Sequence, residues 1–170
     1  MFKCEKVVKS VYNKQDRIIV IGDLHGDYDR TISLFIKLEL IDRNNYWVAK
    51  PKKTFVVQLG DQMDGGGRGG EESSGELKLI QFMEDINNKA MAVGGAVLSL
   101  IGNHEVMNML GDFRFASKND INEVGGVELR TKLFKPGSAL LNKLSCTRNV
   151  VVKIGSWVFV HAGILPKHIL

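Results

Sequence analysis

Four short runs rich in Val, Ile and Phe, each ending on a polar side chain, constrain the fold of this chain most strongly. The runs span residues 17–21, 54–59, 96–101 and 156–160. Such runs are typical of buried strands. Helical patterns lie between them at 28–41 and 75–91, and residues 129–144 predict two short helices broken at Lys135-Pro136-Gly137. The alternation predicts an α/β fold, with a mainly parallel sheet covered by helices.

Length, charge and cysteine content narrow the class of protein. The 170 residues, 44% of them hydrophobic, predict a single domain over residues 1–170 and exclude a disordered chain. A net charge of +4 is too small to indicate nucleic-acid binding. No apolar run resembles a signal peptide or a membrane span, and Cys4 and Cys146 predict free thiols in a reducing compartment. We therefore expect a cytoplasmic protein that binds neither nucleic acid nor membrane.

A side chain of the kind that binds metals follows each predicted strand. These residues are Asp23 and His25, Asp61, Asn103 and His104, and His161. Alone, an aspartate after glycine is more often a helix cap or a turn residue, and a single histidine is more often structural. Ligands of open α/β sheets bind just beyond the carboxyl ends of the strands. The coincidence on four strands therefore favours a metal site at that edge.

The residue types indicate which ions and which chemistry. Carboxylate, imidazole and amide groups without thiolate suit divalent ions such as Mn, Fe or Zn. Asp61 follows a central strand, where it can bridge two ions about 3.5–4 Å apart that hold a phosphoryl group. Asp23 and His25 can share one ion. Asn103 and His104 are adjacent and should diverge, so that the amide binds the second ion and the imidazole faces the substrate.

Four sequence blocks in a fixed order resemble a known family. Gly22-Asp23-Leu24-His25-Gly26, Gly60-Asp61-Gln62-Met63-Asp64, Gly102-Asn103-His104-Glu105 and His161-Ala162-Gly163 are similar to the signature blocks of calcineurin-like metallophosphoesterases. Within that group they resemble the phosphoprotein phosphatases. The segment from Asn108 to Phe115 is most similar to the bacterial-like serine/threonine phosphatases. The resemblance implies a β-sandwich flanked by helices, of which this chain would hold only the N-terminal βαβ half.

The resemblance also implies roles for individual residues. It implies two divalent ions, with Mn as the first candidate and Fe or Zn as alternatives. Asp23 and His25 would bind one ion, Asn103 and His161 would bind the other, and Asp61 would bridge the two. His104 would be the general acid that protonates the leaving alcohol. Asp64 would orient His104 and favour its charged form. Asn103 would also contact the substrate.

Two departures from the family pattern affect these expectations. Gly65 stands where the family usually has a phosphate-clamping arginine, so Arg68 or Arg114 is the candidate substitute in substrate binding. Only seven residues follow Gly163, whereas the family continues with a further arginine and a final histidine ligand. His168 lacks the context of that ligand. We therefore expect a metallophosphoesterase domain truncated at its C-terminus.

The resemblance implies an enzyme that hydrolyses phosphomonoesters by direct attack of a metal-bound hydroxide. The expected substrate is phosphoserine or phosphothreonine in a phosphorylated protein. A dinucleoside polyphosphate hydrolase is the alternative enzyme, and a metal-binding pseudophosphatase with a binding role is the alternative from another class. Gly65 and the missing ligand favour the pseudophosphatase, whereas the Asp64–His104 pair argues against it.

Overall fold

The computed structural model describes residue 4 and residues 8–66 and 75–168. The strands are β1 (Val11–Tyr12), β2 (Ile18–Ile21), β3 (Phe55–Gln58), β4 (Ala96–Ser99), β5 (Val151–Ile154) and β6 (Trp157–Val160). The helices are α1 (Tyr28–Lys37), α2 (Glu76–Met91), α3 (Asn103–Met109), α4 (Lys118–Glu123), α5 (Val127–Phe134) and α6 (Ala139–Thr147), followed by a 3₁₀ turn at Pro166–His168.

Strands β2, β3 and β4 form a parallel sheet in that order. Ile21 lies opposite Gln58, and Gln58 lies opposite Ser99, so the three carboxyl ends are level with one another. All four residues of the central strand β3 are buried, as its continuous apolar sequence predicts. The loops that leave these strands therefore start from a common edge.

The second sheet has the order β1-β5-β6, with β1 parallel to β5 and β5 antiparallel to β6. The predicted strand at 156–160 lies in this sheet, so the expectation of one mainly parallel sheet holds only for the first three predicted strands. The physical reason is a tight turn at Gly155, whose φ of +60° allows β5 and β6 to form a hairpin. A parallel partner for β6 would have needed a long crossover connection.

The two sheets pack face to face, and helices cover the parallel sheet. Val57 and Leu98 contact Val152 and Ile154 of the second sheet in one apolar cluster. On the other face, a second cluster joins Val56 to α1 and α2, with Phe35, Leu79, Met83 and Ile86 among its buried members. This arrangement confirms the helix-flanked sandwich that the resemblance implied.

Helix boundaries differ from the predicted ones where the backbone bends locally. Helix α1 ends at Lys37, before residue 41, because Glu39 adopts a φ of +54° and Leu40 N–H donates to the Phe35 carbonyl. Helices α5 and α6 confirm the predicted break at Lys135-Pro136-Gly137. Helices α3 and α4 were not predicted, because seven and six residues are too few to show a helical period.

Cys4 and Cys146 form a disulfide, so the prediction of free thiols is wrong. Their Cα atoms lie 5.6 Å apart despite a sequence separation of 142. The pairing of β1 with β5 brings the N-terminal segment beside α6, where Val8 N–H donates to the Cys146 carbonyl at 3.2 Å. The cysteines therefore give no support to a reducing compartment. Within the described ranges, no helix is long and apolar enough to cross a bilayer.

Candidate metal centre

The loops after β2 and β3 hold three candidate site residues in the left-handed region of the backbone map. The φ angles of His25, Asp61 and Asp64 are +45°, +55° and +67°. This conformation is uncommon for residues other than glycine and costs of order 1–3 kcal/mol, so it persists only where the surroundings enforce it. Strained backbone of this kind is concentrated at functional sites. Here the left-handed conformation directs the side chains of the two loops toward each other.

Two glycines let the ends of β3 and β4 approach closely. A Cβ on Gly60, whose φ is +105°, would lie 2.8 Å from Gly102 Cα. A Cβ on Gly102 would lie 2.6 Å from the backbone nitrogen of Asp61. Real Cβ atoms do not come this close to backbone, so the glycines before Asp61 and Asn103 are needed for steric reasons.

The buried carboxylate of Glu105 joins these two loops. Its Oε2 accepts from the backbone N–H of Asp61 at 2.9 Å and of Gly102 at 2.7 Å, and its Oε1 accepts from Gln62 N–H at 2.8 Å. Glu105 belongs to the sequence block that begins at Gly102, but the sequence alone predicted no role for it. Its structural role is to fix Asp61 relative to the start of α3.

One group of possible metal ligands consists of Asp23, Asp61 and His161, with one ligand atom of each within 4.8 Å of the others. His161 Nε2 lies 3.3 Å from Asp61 Oδ2 and 2.9 Å from Asn103 Oδ1. His161 follows β6 in the second sheet and still reaches the edge of the parallel sheet. The structure therefore brings the residues after all four predicted strands together, although those strands belong to two sheets.

A second group consists of His25, Asp61 and His104. His25 Nδ1 lies 3.0 Å from the Met63 carbonyl, which leaves Nε2 as the nitrogen that faces the group. That Nε2 is buried without a hydrogen bond among the described residues, and Asp23 Oδ2 lies 3.6 Å from it. His104 Nε2 lies 3.9 Å from Asp61 Oδ2. The two groups share Asp61.

The arrangement fits two divalent ions. All donors are carboxylate, imidazole or amide groups, the set that suits Mn, Fe and Zn. Asp61 belongs to both groups, as a bridging ligand would. The buried Nε2 of His25, which makes no hydrogen bond with the described residues, is the kind of polar atom that is expensive to leave without a partner and that a metal would satisfy.

His104 and Asp64 form a buried pair beside this cluster. His104 Nδ1 lies 2.9 Å from Asp64 Oδ2, and Asn108 Nδ2 donates to the same oxygen at 2.8 Å. Neither His104 nor Asp64 exposes more than a few per cent of its surface. The adjacent residues Asn103 and His104 diverge as predicted, since Asn103 Oδ1 contacts His161 whereas His104 points to Asp64.

Sequence reasoning missed the buried residues that surround Asp64, above all Arg130 and Glu76. Arg130 Nη2 donates to Asp64 Oδ1 at 3.2 Å and to Glu76 Oε2 at 3.1 Å, and Nη1 donates to Glu76 Oε1. Burial raises the pKa of Glu76 to about 7, against the opposing effect of Arg130. Arg130 lies beside other charged residues in α5, so no sequence signal marked it as buried.

Of the two predicted substrate-binding arginines, Arg114 lies within the described residues. Arg114 makes a two-pronged ion pair with Asp112 at 2.7 and 2.8 Å, which lowers the pKa of Asp112 and raises that of Arg114. Its guanidinium also lies 5.9 Å from the ring centre of Phe115, which is 5.3 Å from the ring of His104. Arg68 lies outside the described residues.

His168, considered as a further ligand, belongs to neither ligand group within the described part of the chain. It lies in the 3₁₀ turn, where its Nδ1 accepts from Leu165 N–H at 3.2 Å.

The sequence matches the family model of calcineurin-like phosphoesterases over residues 16–168. The chain belongs to this family. The match covers every ligand candidate from Asp23 to His161 and confirms the resemblance that the sequence blocks indicated.

Curated relatives support the narrower resemblance to bacterial-like phosphatases. Shewanella-like protein phosphatase 2 of Arabidopsis thaliana is 29% identical over 206 aligned positions, covering 96% of this chain and 50% of the plant protein. Shewanella-like protein phosphatase 1 of Plasmodium berghei is 26% identical over 168 positions, covering 94% of this chain and 44% of that protein. The chain thus spans about half the length of these relatives.

A solved structure has the same fold. The cold-active protein-tyrosine phosphatase of a psychrophilic Shewanella species superposes with a TM-score of 0.82 and 25% sequence identity. The superposition covers 96% of this chain and 47% of the bacterial one. The calcineurin-like fold of the chain is therefore supported by both sequence and structure.

Proposed function

We propose that this protein is a two-metal phosphatase that hydrolyses phosphomonoesters on phosphorylated proteins. The observation that carries the proposal is Asp61, which is shared by two groups of metal-type ligands and lies beside the buried Asp64–His104 pair. Membership of the calcineurin-like phosphoesterase family supports the hydrolytic chemistry.

The proposed ligands divide between the two ions. Asp23 and His25 would hold one ion, Asn103 and His161 the other, and Asp61 would bridge them. When bound, the ions would hold the phosphoryl oxygens and lower the pKa of a water molecule, with Mn as the first candidate and Fe or Zn as alternatives. Contacts within the chain orient two of these ligands, since Glu105 fixes the backbone at Asp61 and the Leu59 carbonyl lies 3.0 Å from His161 Nδ1.

His104 is the residue that we assign to the leaving oxygen. Its Nδ1 contacts Asp64, so its Nε2 faces Asp61 and the ligand groups. As the P–O bond to the leaving group breaks, the oxygen of water forms the new P–O bond and the Nε2 proton passes to the leaving oxygen. One proton of that water stays on the phosphate and the other returns to Nε2, so that one ester and one water give one alcohol and one hydrogen phosphate.

Two kinds of phosphorylated residue are candidate substrates. Phosphoserine and phosphothreonine follow from the family resemblance, and the similar Shewanella protein is a protein-tyrosine phosphatase. Phe115, 41% exposed with its ring against His104, favours phosphotyrosine as the second candidate because it offers an aromatic face beside the proposed proton donor. Matched peptides that differ only in carrying phosphoserine or phosphotyrosine would separate the two.

The experiment that tests the proposal is hydrolysis of an aryl phosphate by the Mn²⁺-loaded chain. We expect His104→Gln to lower kcat by about 10²–10⁴-fold, the usual contribution of a general acid, while metal content measured by elemental analysis is retained. His168→Gln is the matched control, because His168 lies outside both ligand groups, and it should retain the activity. If His104→Gln also loses metal, His104 is a ligand and not the proton donor.

The same assay distinguishes the alternatives. Absence of hydrolysis by the metal-loaded wild-type chain, combined with retained phosphopeptide binding, would favour the pseudophosphatase. Faster cleavage of a diadenosine polyphosphate than of any phosphopeptide would favour the dinucleoside polyphosphate hydrolase.

A further inference from the structure

Arg130 of α5 is a fully buried charge that none of the family blocks contains. Its side chain has no exposed surface. A buried guanidinium is strongly unfavourable unless charged and polar partners occupy its donors. The arrangement of those partners therefore shows what the charge holds in place.

The hydrogen-bond partners of Arg130 are all buried, and they are Asp64 and two residues that contact Asp64. The guanidinium forms a two-pronged pair with Glu76 and donates from Nη2 to Asp64 Oδ1 at 3.2 Å. Its Nε and Nη2 also donate to Asn108 Oδ1 at 2.9 and 2.7 Å. The rings of Phe113 and Phe134 pack against it, with centres 5.3 and 4.9 Å from Cζ.

The two carboxylate oxygens of Asp64 have different hydrogen-bond partners. Oδ1 accepts from Arg130, whereas Oδ2 faces His104 Nδ1 at 2.9 Å and accepts from Asn108 Nδ2 at 2.8 Å. Arg130 also fixes the direction of the Asn108 amide, because it occupies Oδ1 and leaves Nδ2 to face Asp64. The backbone of Asp64 has a φ of +67°, so no regular helix or strand orients its carboxylate.

We propose that Arg130 is a positioning residue that orients Asp64 toward His104 and thereby holds the His104 ring in the pose for proton donation. The inference rests on the proposed function, in which His104 protonates the leaving oxygen. Arg130 itself, being fully buried, touches neither substrate nor metal. Glu76 accepts two hydrogen bonds from Arg130 and completes its pairing.

The proposal predicts an effect that depends on the leaving group. Cleavage of phenyl phosphate releases a basic phenolate, with a pKa near that of tyrosine at about 10, and needs a proton from the enzyme. Cleavage of p-nitrophenyl phosphate releases a stabilised anion and needs that proton much less. A misoriented His104 should therefore slow the first reaction more than the second, whereas a general loss of structure would slow both equally.

The kinetic test compares Arg130→Met with wild type in the Mn²⁺-loaded full chain. We expect kcat for phenyl phosphate to fall roughly 10–100-fold, the usual effect of losing an outer-shell partner, and kcat for p-nitrophenyl phosphate to fall only a few-fold. Arg130→Lys should recover part of the loss, since it keeps the charge and loses the fork. Phe134→Leu is the control, because it alters packing against the guanidinium and keeps every hydrogen bond, and it should leave the ratio unchanged.

A second readout does not depend on activity. In the metal-free chain, the Nδ1 proton of His104 should give a low-field ¹H NMR signal, assigned by its loss in His104→Gln. We expect Arg130→Met to shift or abolish this signal and Phe134→Leu to keep it. An unchanged signal, or equal losses on the two esters, would overturn the proposal. If wild type shows the signal and hydrolyses neither ester, the proposed function fails while the NMR comparison still decides the role of Arg130.

Arg130→Met leaves Glu76 and Asp64 buried without their counter-charge, which can unfold the chain. The double variant Arg130→Met with Glu76→Gln removes the buried cation together with the acid that is paired with it, so that no unpaired carboxylate is left at position 76. If circular dichroism shows that the single variant is unfolded, the same kinetic ratio and the same NMR signal are measured in the double variant, with the same expected outcomes.

Discussion

Asp61 has a different set of neighbours on each carboxylate oxygen. Oδ1 accepts from the His104 backbone N–H at 2.9 Å, and Oδ2 lies 3.3 Å from His161 Nε2 and 3.9 Å from His104 Nε2. The first contact is structural and tolerates a neutral oxygen. The second set surrounds the position where two ligand groups meet, so the negative charge of Asp61 matters for ion binding more than for the fold.

Replacement of Asp61 by asparagine should separate these two roles. Asp61→Asn keeps an oxygen that accepts from the His104 N–H and removes the negative charge, so we expect the variant to fold. Its affinity for Mn²⁺ should fall by at least 10–100-fold, which is the usual cost of losing even a partner outside the ligand shell. Isothermal titration calorimetry with Mn²⁺ measures this affinity. Asp27→Asn is the matched control, because Asp27 caps α1 and asparagine caps equally well. Equal affinities of wild type and Asp61→Asn would contradict the ligand assignment.

At the scale of elements, the site depends on how closely the loops after β3 and β4 approach. Gly102 has φ −102° and ψ −176°, ordinary extended backbone, so nothing in its own conformation requires glycine. The need for glycine comes from its neighbour, since a Cβ there would lie 2.6 Å from the Asp61 nitrogen.

Gly102→Ala should therefore force α3 away from Asp61 and disrupt the contacts of Glu105 with both loops. We expect the free energy of unfolding to fall by about 1–3 kcal/mol, as in overpacked cores, together with weaker Mn²⁺ binding. Gly111→Ala is the comparison, because a Cβ on Gly111 would have no atom within 4 Å and only the φ of +77° disfavours alanine there. Its free energy of unfolding should fall by only roughly 1 kcal/mol, the cost of the left-handed conformation. Urea denaturation measures the free energy of unfolding of both variants. Unchanged Mn²⁺ binding in Gly102→Ala would refute the close-approach argument.

The elements that carry the ligands were predictable because strand ends have a local signal. Apolar runs that stop at Gly22, Gly60 and Gly102 mark β2, β3 and β4, and the side chains that follow meet at one edge. Arg130 was not predictable, because its burial depends on Glu76 and Asp64, which lie 54 and 66 residues away in the sequence. The apolar runs alone did not predict the split into the two sheets of the sandwich for the same reason, since β5 is defined by pairing with β1 far away in the sequence.

At the scale of the whole molecule, the disulfide joins Cys4 of the N-terminal segment to Cys146 of α6. A cross-link over 142 residues restricts the unfolded chain strongly, and such bonds stabilise by about 2–5 kcal/mol. Among the described residues, the N-terminal segment is also tied to the second sheet through β1, which pairs two residues with β5. The bond should therefore matter for the second sheet as well as for the segment itself.

Reduction should lower the melting temperature by roughly 5–15 °C for a chain of this size. Calorimetry with and without a reductant measures the shift, and a thiol count on the denatured, unreduced chain should find no reactive cysteine. The double variant Cys4→Ser with Cys146→Ser is the control and should melt at the same temperature in both buffers. Two reactive thiols in the unreduced chain would show that the bond does not form.

The buried charges around Glu76 should make stability depend on pH in an unusual direction. Burial raises the pKa of Glu76 from its ordinary 4.5 to about 7, and burial also raises the pKa of Asp120. Because the folded chain holds the Glu76 proton more tightly than the unfolded chain, folding takes up a proton between these two values. The contribution of Glu76 to the free energy of unfolding is therefore complete below pH 4.5, the pKa of Glu76 in the unfolded chain. It falls as the pH rises from there to about 7, the pKa in the folded chain.

Urea denaturation of the metal-free chain between about pH 4.5 and about pH 8 should isolate this contribution as the difference between wild type and Glu76→Gln. We expect the stability of wild type relative to the variant to fall by at most about 3 kcal/mol across the window and then to level off. Glu123→Gln is the matched control, because Glu123 is exposed on α4 and its variant should follow the wild-type curve. A relative stability that rises with pH would mean that Arg130 outweighs burial and holds Glu76 as a carboxylate throughout.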